Sequence, residues 1–268
     1  MTKKLLVSDL DGTIFDSDTP GYTLSEKLIQ RVREFVSQGN IFTIATGRPE
    51  TTTLPIVRML GVNAPFIAYN GAVIFSTDGQ ILYSETFDLK PWLPFIHKIH
   101  KTGGNAMVYD KGIPTYFYYT HHIKRYEAKE KTICYEASQN IKEGNAQVNK
   151  ILLIGDVSAI KEEWDKMDFK SKKGFSYLVS EKDYFEIVKA GITKGSALKI
   201  LKKIINEKDI KIAAIGNHLN DMEMLKEADI GAAVGNAEED LKLAADIVTA
   251  GHFHEGVIEL IDYICAVN

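Results

Sequence analysis

Short apolar runs that end abruptly at a polar residue punctuate both ends of the chain. Leu5-Leu6-Val7-Ser8 stops at Asp9, Ile41 to Ala45 at Thr46, Pro65 to Tyr69 at Asn70, and Ile212 to Gly216 at Asn217. Runs this short, rich in Val and Ile and without clean alternation, predict strands buried on both faces, hence parallel strands covered by helices. The segments between them carry helix signals. Thr23-x-x-Glu26 predicts a capping box opening a helix that runs toward Ser37, with Gly39 as its stop. Glu50 to Leu60, closed by Gly61, is a second helix; Lys194 to Ile205, Asp221 to Ala228 and Glu255 to Cys265 are others. In an open parallel sheet, ligands sit beyond the carboxyl ends of the strands, so the polar residue ending each run is a site candidate.

The middle of the chain follows other rules. Asp78-Gly79, between Val73-Ile74-Phe75 and Ile81-Leu82-Tyr83, predicts a hairpin. Beyond it come an apolar-periodic stretch after Pro91, an aromatic run Tyr116 to Tyr119, a polar helical pattern from His122 to Gln139, a strand Ile151 to Ile154 and a helix near Ser158 to Met167. Gly103-Gly104 and Glu143-Gly144-Asn145 predict turns inside this span, which is long enough to bury a core of its own. The expected fold class is α/β: a Rossmann-like parallel sheet core flanked by helices, made of residues 1–85 and 184–268, with an α+β domain inserted at 86–183.

Composition narrows the class. Of 268 residues, 45% are hydrophobic and 25% charged, the balance of a folded protein rather than a disordered one. At about 150 residues per domain, the length corresponds to between one and two domains. Lys plus Arg total 32 against 36 for Asp plus Glu, a formal net charge of -4. Nucleic acid and acidic membranes are therefore not expected partners, whereas a local cationic pocket for a phosphate is compatible with that balance. Cys134 and Cys265 are too few for a disulfide framework or a tetrahedral zinc site. No apolar run is long enough to span a bilayer, and none of signal-peptide length precedes Ser8 and Asp9. A cytoplasmic protein is the expectation.

Asp9-Leu10-Asp11-Gly12-Thr13 is the sharpest chemical signal. Two carboxylates two residues apart leave a buried strand and meet a Gly that permits a tight turn. At about 4 Å and an effective dielectric near 20 they repel by roughly 4 kcal/mol. A cation must offset that, and a hard divalent ion with oxygen ligands is the natural candidate. Thr46-Gly47-Arg48 either presents a hydroxyl and backbone N–H groups to an anionic oxygen or merely turns the chain. Lys194, with Thr193 as N-cap, opposes the helix dipole; it is either an exposed lysine or one that answers an anion. Gly216-Asn217-His218-Leu219-Asn220-Asp221 adds a carboxylate and two amides able to coordinate metal or phosphate, although Asn and Asp also suit helix N-capping.

Together, DLDGT at the first run, Thr46 at the second, Lys194 after the insertion and GNHLND at a later run resemble the four motifs of the haloacid dehalogenase-like hydrolases. The Cof-type sugar-phosphatase branch is the most similar. Its marks are Tyr69-Asn70-Gly71-Ala72, Lys194-Gly195-Ser196-Ala197-Leu198, Asn220-Asp221-Met222-Glu223-Met224-Leu225, Gly235-Asn236-Ala237 and Ala245-Asp246-Ile247-Val248-Thr249. The insertion matches that branch's cap domain in position and size; a cap would exclude water and choose the leaving group. The resemblance implies a Mg2+-dependent phosphatase acting on a small phosphorylated metabolite, such as a sugar phosphate or a phosphorylated cofactor. It implies Asp9 as the nucleophile of an aspartyl-phosphate intermediate, and Asp11 as general acid and then base. It further implies magnesium held by the Asp9 carboxylate, the Asp11 backbone carbonyl and Asn217, with Asp221 in support. The phosphate would rest on the Leu10 backbone, Thr46, Gly47, Lys194 and Asn220.

One position departs from the pattern. The family usually has Gly-Asp where this chain has Gly216-Asn217. An amide oxygen carries no net charge, so a raised magnesium requirement is expected rather than an inactive protein. Two other readings compete: a phosphomutase, which would need a bisphosphate activator, and a phosphometabolite sensor with weakened catalysis, which only Asn217 favours. Within the insertion, Tyr116 to Tyr119 are expected to form the packed face of a sheet, and His121 and His122 a solvated loop. His252 and His254 are expected at the surface, and His218, inside the GNHLND loop, either contacts substrate or faces solvent.

Overall fold

The computed structural model describes residues 2–16 and 23–267. Two compact units emerge, one built from the chain up to Tyr83 and from Thr193 onward, the other from Ser84–Ile192. The first unit begins with β1 (Lys4–Ser8), α1 (Glu26–Ser37), β2 (Ile41–Ile44), α2 (Glu50–Leu60), β3 (Phe66–Ala68), β4 (Val73–Phe75) and β5 (Ile81–Ser84). The inserted unit runs through β6 (Phe87–Asp88), α3 (Leu93–Lys101), β7 (Asn105–Asp110), β8 (Ile113–Tyr116), α4 (His121–Glu130), β9 (Tyr135–Glu136) and α5 (Gln139–Lys142). It continues with β10 (Gln147–Val148), β11 (Ile151–Ile154), α6 (Val157–Asp165), α7 (Phe169–Lys172), β12 (Phe175–Glu181) and β13 (Tyr184–Lys189). The first unit then resumes with α8 (Lys194–Ile205), β14 (Lys211–Gly216), α9 (Met222–Glu227), β15 (Ile230–Ala233), α10 (Glu239–Ala244), β16 (Ile247–Val248) and α11 (His254–Ala266).

Five strands of the first unit form one parallel sheet in the order β16-β15-β14-β1-β2. With β14 on one side and β2 on the other, β1 is central, and Leu5 to Ser8 are all buried. Burial on both faces is why its sequence does not alternate. Leu28, Val32 and Phe35 line the buried stripe of α1 at helical spacing, and α2 closes on Gly61 in the left-handed conformation. The α/β expectation is met, both in the parallel sheet and in the inserted α+β unit. Among the described residues, no helix is long and apolar enough to cross a membrane.

Some local expectations are corrected. Ser25, not Thr23, is the N-cap of α1 and makes no side-chain cap hydrogen bond. Glu26 is then the first helical residue rather than the third, so the reciprocal bond of a capping box has the wrong spacing. The run at Pro65 to Tyr69 meets β2 only through a parallel bridge between Ala45 and Ile67; β3 pairs antiparallel with β4. Tyr69, Asn70 and Gly71 have φ of +52, +53 and +106, and this left-handed turn reverses the chain between them. β15 and β16 extend the parallel sheet beyond the four runs, built on a short, small-residue segment and on a two-residue strand.

In the inserted unit, six strands follow the order β12-β13-β11-β7-β8-β9, all neighbours antiparallel except β8 and β9. One face carries Ala106, Val108, Ile151, Leu153, Phe185 and Ile187 against Trp92, Ile96, Ile160 and Trp164; the other carries Met107, Leu152, Ile154 and Tyr184 against Ile123 and Tyr126. The expected return to the core at 184 falls inside this sheet, because β13 pairs with both β11 and β12, and the first unit resumes at Thr193. The helix expected from His122 to Gln139 stops at Glu130: Lys131 is left-handed at φ +49, and Tyr135–Glu136 joins β8 as a strand. His122 is no solvated loop residue. It is buried in the first turn of α4, with Nε2 3.1 Å from the Gly103 carbonyl oxygen. Nor is Tyr116 to Tyr119 one packed sheet face: β8 ends at Tyr116, Phe117 is buried, Tyr118 stacks on His100 and Tyr119 is exposed.

Candidate active site

Because β1, β2 and β14 are parallel neighbours, their carboxyl ends lie along one edge of the sheet, and the polar residues that terminate them meet there. Asp9 follows β1 directly, its N–H donating to the Ile215 carbonyl of β14 at 3.0 Å. Its carboxylate is almost fully buried. Lys194, the first residue of α8, is 1% exposed, and its Nζ donates at 2.6 Å to Asp9 Oδ1 and at 2.6 Å to Asp221 Oδ1. Its place is set by a reciprocal cap: Ser196 N–H donates to Thr193 Oγ1 at 3.0 Å, and Thr193 N–H to Ser196 Oγ at 2.9 Å. The exposed-lysine reading is thereby excluded.

Asp221 is fully buried and occupied on both sides. Beyond Lys194, its Oδ2 accepts from the backbone N–H groups of Asn217 at 3.0 Å and His218 at 3.2 Å. It therefore supports the loop that carries Asn217. The Asn217 amide faces the Asp9-Asp11 turn, with one end 2.9 Å from the Asp11 carbonyl oxygen and 3.1 Å from Asp9 Oδ2. Asp11 itself is gripped at both carboxylate oxygens by Arg48, through Nε at 2.8 Å and Nη2 at 2.7 Å. The Arg48 guanidinium is buried and lies 5.2 Å from the centroid of the Phe15 ring.

The remaining candidates lie on the same edge. Thr46 is buried, its Oγ1 accepting from Arg48 N–H at 3.1 Å, and Gly47 follows beneath the Asn70 side chain. Asn220 donates through Nδ2 to Asn70 Oδ1 at 3.1 Å. The Leu10 side chain is fully buried, so only its backbone reaches this edge; its carbonyl accepts from the N–H groups of Thr13 and Ile14. Every sequence candidate thus belongs to one connected set. Arg48 joins it without having been singled out, although it stands in a motif quoted from the sequence, and Asn70, the polar residue that ends the Pro65 to Tyr69 run, lies on the same edge. His218, open between substrate and solvent in the sequence, pairs through Nε2 with Glu238 at 2.8 Å.

Three carboxylates (Asp9, Asp11 and Asp221) face two cations (Lys194 and Arg48), which leaves one net negative charge when Asp9 is ionised. Burial pushes the Asp9 carboxyl up to about 7; Lys194 opposes that rise, while Asp221 and Asp11 add to it. Burial alone would lower the Lys194 ammonium, yet Asp221 and Asp9 together hold it above its usual value. A residual negative charge repels a phosphate dianion, and a divalent cation would reverse its sign. Two oxygens suited to a hard cation, Asp9 Oδ2 and the Asp11 carbonyl, converge at the turn, and the Asn217 amide would add a third with its oxygen end turned toward them. Among the described residues, no three His, Cys, Asp or Glu side chains gather as a metal cluster. Two of the groups that converge at the turn, a main-chain carbonyl and an amide, fall outside those residue types.

Known proteins share this architecture. The Bacillus subtilis phosphatase YwpJ is 26% identical over 97% of this chain and 99% of its own length. The pyridoxal phosphate phosphatase YbhA of Escherichia coli is 24% identical over 97% of this chain and 98% of its own. The crystal structure of a haloacid dehalogenase-like hydrolase from Bacteroides thetaiotaomicron, 25% identical, covers 98% of this chain and 99% of that one, with a TM-score of 0.83. A sequence model of the haloacid dehalogenase-like hydrolases matches residues 6–261, and the chain belongs to that family.

Proposed function

We propose that this hydrolase is a divalent-metal-dependent phosphatase that acts on a small phosphorylated metabolite through an aspartyl-phosphate on Asp9. The observation that carries the reading is the Lys194 ammonium, 2.6 Å from both Asp9 and Asp221. One Asp9 oxygen is tied to Lys194 while Oδ2 points to the oxygen-lined turn. A carboxylate held this way is aimed as a nucleophile, and phosphoryl transfer depends mainly on positioning and charge neutralisation.

In the first step an Asp9 oxygen attacks phosphorus, the bond from phosphorus to the leaving oxygen breaks, and Asp11 gives that oxygen its proton. In the second, water attacks phosphorus and Asp11 takes up the water proton. The bond from phosphorus to Asp9 breaks, releasing inorganic phosphate and restoring the carboxylate. Magnesium, when bound by Asp9, the Asp11 carbonyl and Asn217, supplies Lewis-acid neutralisation of the phosphoryl oxygens. Asp221 holds the Asn217 loop in place from behind. Lys194, Thr46, Gly47, Asn220 and the Leu10 backbone bind the phosphate. The pyridoxal phosphate phosphatase among the relatives supports a small phosphorylated metabolite as the substrate class.

Phosphate release from a panel of phosphorylated metabolites tests the reading. Wild type with Mg2+ and no bisphosphate activator is expected to release phosphate from at least one member, and EDTA to stop it. Asp9→Asn is expected to release none. Undiminished release by that variant refutes the mechanism, and release only after a bisphosphate is supplied points to a mutase.

A further inference from the structure

The Asn217 amide is placed by its backbone. Its N–H donates to Asp221 Oδ2 at 3.0 Å and its carbonyl accepts from Glu238 N–H at 2.9 Å. Gly12, at φ +78, gives it room: a Cβ there would come within 2.2 Å of the amide. One end of the amide lies 2.9 Å from the Asp11 carbonyl oxygen, 3.1 Å from Asp9 Oδ2 and 2.9 Å from Thr13 Oγ1. With the oxygen end there, Thr13 Oγ1 donates to it at 2.9 Å but the Asp11 carbonyl and an ionised Asp9 carboxylate face another acceptor; with no cation bound, the NH2 end is the one that satisfies them.

Those acceptors are the ones through which the turn would hold a divalent cation. An NH2 group turned toward these acceptors cannot ligate a cation that they hold, because it offers only N–H donors. We propose that Asn217 is a built-in stand-in for the metal, which lets the site persist metal-free and makes the ion compete for its place. To enter, the ion must displace the NH2 group, and the amide must turn over to present its oxygen. Affinity is then lowered twice, by the missing carboxylate charge and by the hydrogen bonds that are broken. The enzyme would respond to the free Mg2+ concentration instead of holding the ion permanently. This inference rests on the reading of Asp9, Asp11 and Asn217 as the metal-binding set.

An aspartate at 217 would set an oxygen against Asp9 Oδ2 and the Asp11 carbonyl, with no proton between them. Stability would then depend on bound metal through mass action. The test is thermal unfolding in EDTA and in saturating Mg2+, together with calorimetric Mg2+ binding, for wild type, Asn217→Asp and Asn217→Ala. Asn217→Asp is expected to melt at least about 3 °C below wild type in EDTA. It should also bind Mg2+ at least about tenfold more tightly and gain more from saturating Mg2+. Folding of that variant only when Mg2+ is present is the same result in its strongest form. Asn217→Ala, lacking both the NH2 and the oxygen, is expected to melt below wild type in EDTA and to gain less from Mg2+ than Asn217→Asp.

Mg2+ binding by wild type as tight as by Asn217→Asp overturns the inference and leaves the metal site standing. Melting of Asn217→Ala level with wild type in EDTA does the same. If none of the proteins binds Mg2+, the metal reading itself fails, and the inference goes with it.

Discussion

Asp11 is assigned to deliver a proton, yet Arg48 holds both of its carboxylate oxygens. Charge-assisted bonds of this kind favour the anion, so at least one must open before Asp11 carries a proton to the leaving group. Under the proposed mechanism Arg48 is a positioning residue, one that aims the acid and releases it. The leaving group reports on this role, because an alkoxide needs the proton whereas 4-nitrophenolate departs without it. Arg48→Ala is expected to lower kcat for an alkyl phosphate by about tenfold to a hundredfold more than for 4-nitrophenyl phosphate. Arg48→Lys should fall between the two. Equal losses on both substrates would show a general structural defect instead. The pair was not legible in the sequence, since no local pattern tells that a guanidinium after β2 reaches a carboxylate after β1. Asn70 was legible only as the residue that ends a run; its contact with Asn220 follows from a left-handed turn, and no apolar periodicity records one. Asp9 and Thr46 stood out because each ends a buried run, Asp11 because it shares the DLDGT turn, and Lys194 because it opens a helix.

Lys194 is placed by the start of α8, so the cap there serves both stability and the site. Thr193 Oγ1 accepts from Ser196 N–H and also donates to Glu223 Oε2 at 2.6 Å. Thr193→Ala is expected to cost about 1 kcal/mol, read by urea unfolding, while Thr193→Ser keeps both bonds and stays near wild type. A loss no larger in the Ala variant than in the Ser variant would mean that the cap contributes nothing. This element was legible from Thr193 and the apolar spacing behind it, as were the Asp78-Gly79 hairpin and the Gly61 helix stop. β12 was not legible: Leu178 interrupts the alternation of Phe175, Tyr177 and Val179 with Ser176 and Ser180, and all its residues are half-buried. β15 was hidden because Gly231, Ala232 and Ala233 carry too little apolar surface to register as a run.

At the scale of the molecule, each unit has its own core. In the inserted one, Trp92 and Trp164 stack with ring centroids 5.8 Å apart. The order of the motifs showed that the chain leaves the parallel sheet and comes back. The point of return was not readable, because the pairing of β13 with β11 is a long-range choice that local pattern leaves open. The candidate residues named above all lie in the first unit, where the parallel sheet brings together groups from β1, β2, β14 and α8. The reading stands on covalent chemistry at one of them. Wild type mixed with 4-nitrophenyl phosphate and Mg2+, quenched in acid within a turnover and mapped by peptide mass spectrometry, tests it most directly. The account predicts a phosphoryl group on Asp9, absent in Asp9→Asn. Phosphate release with no adduct on Asp9 at any quench time, or an adduct on another residue, would contradict it.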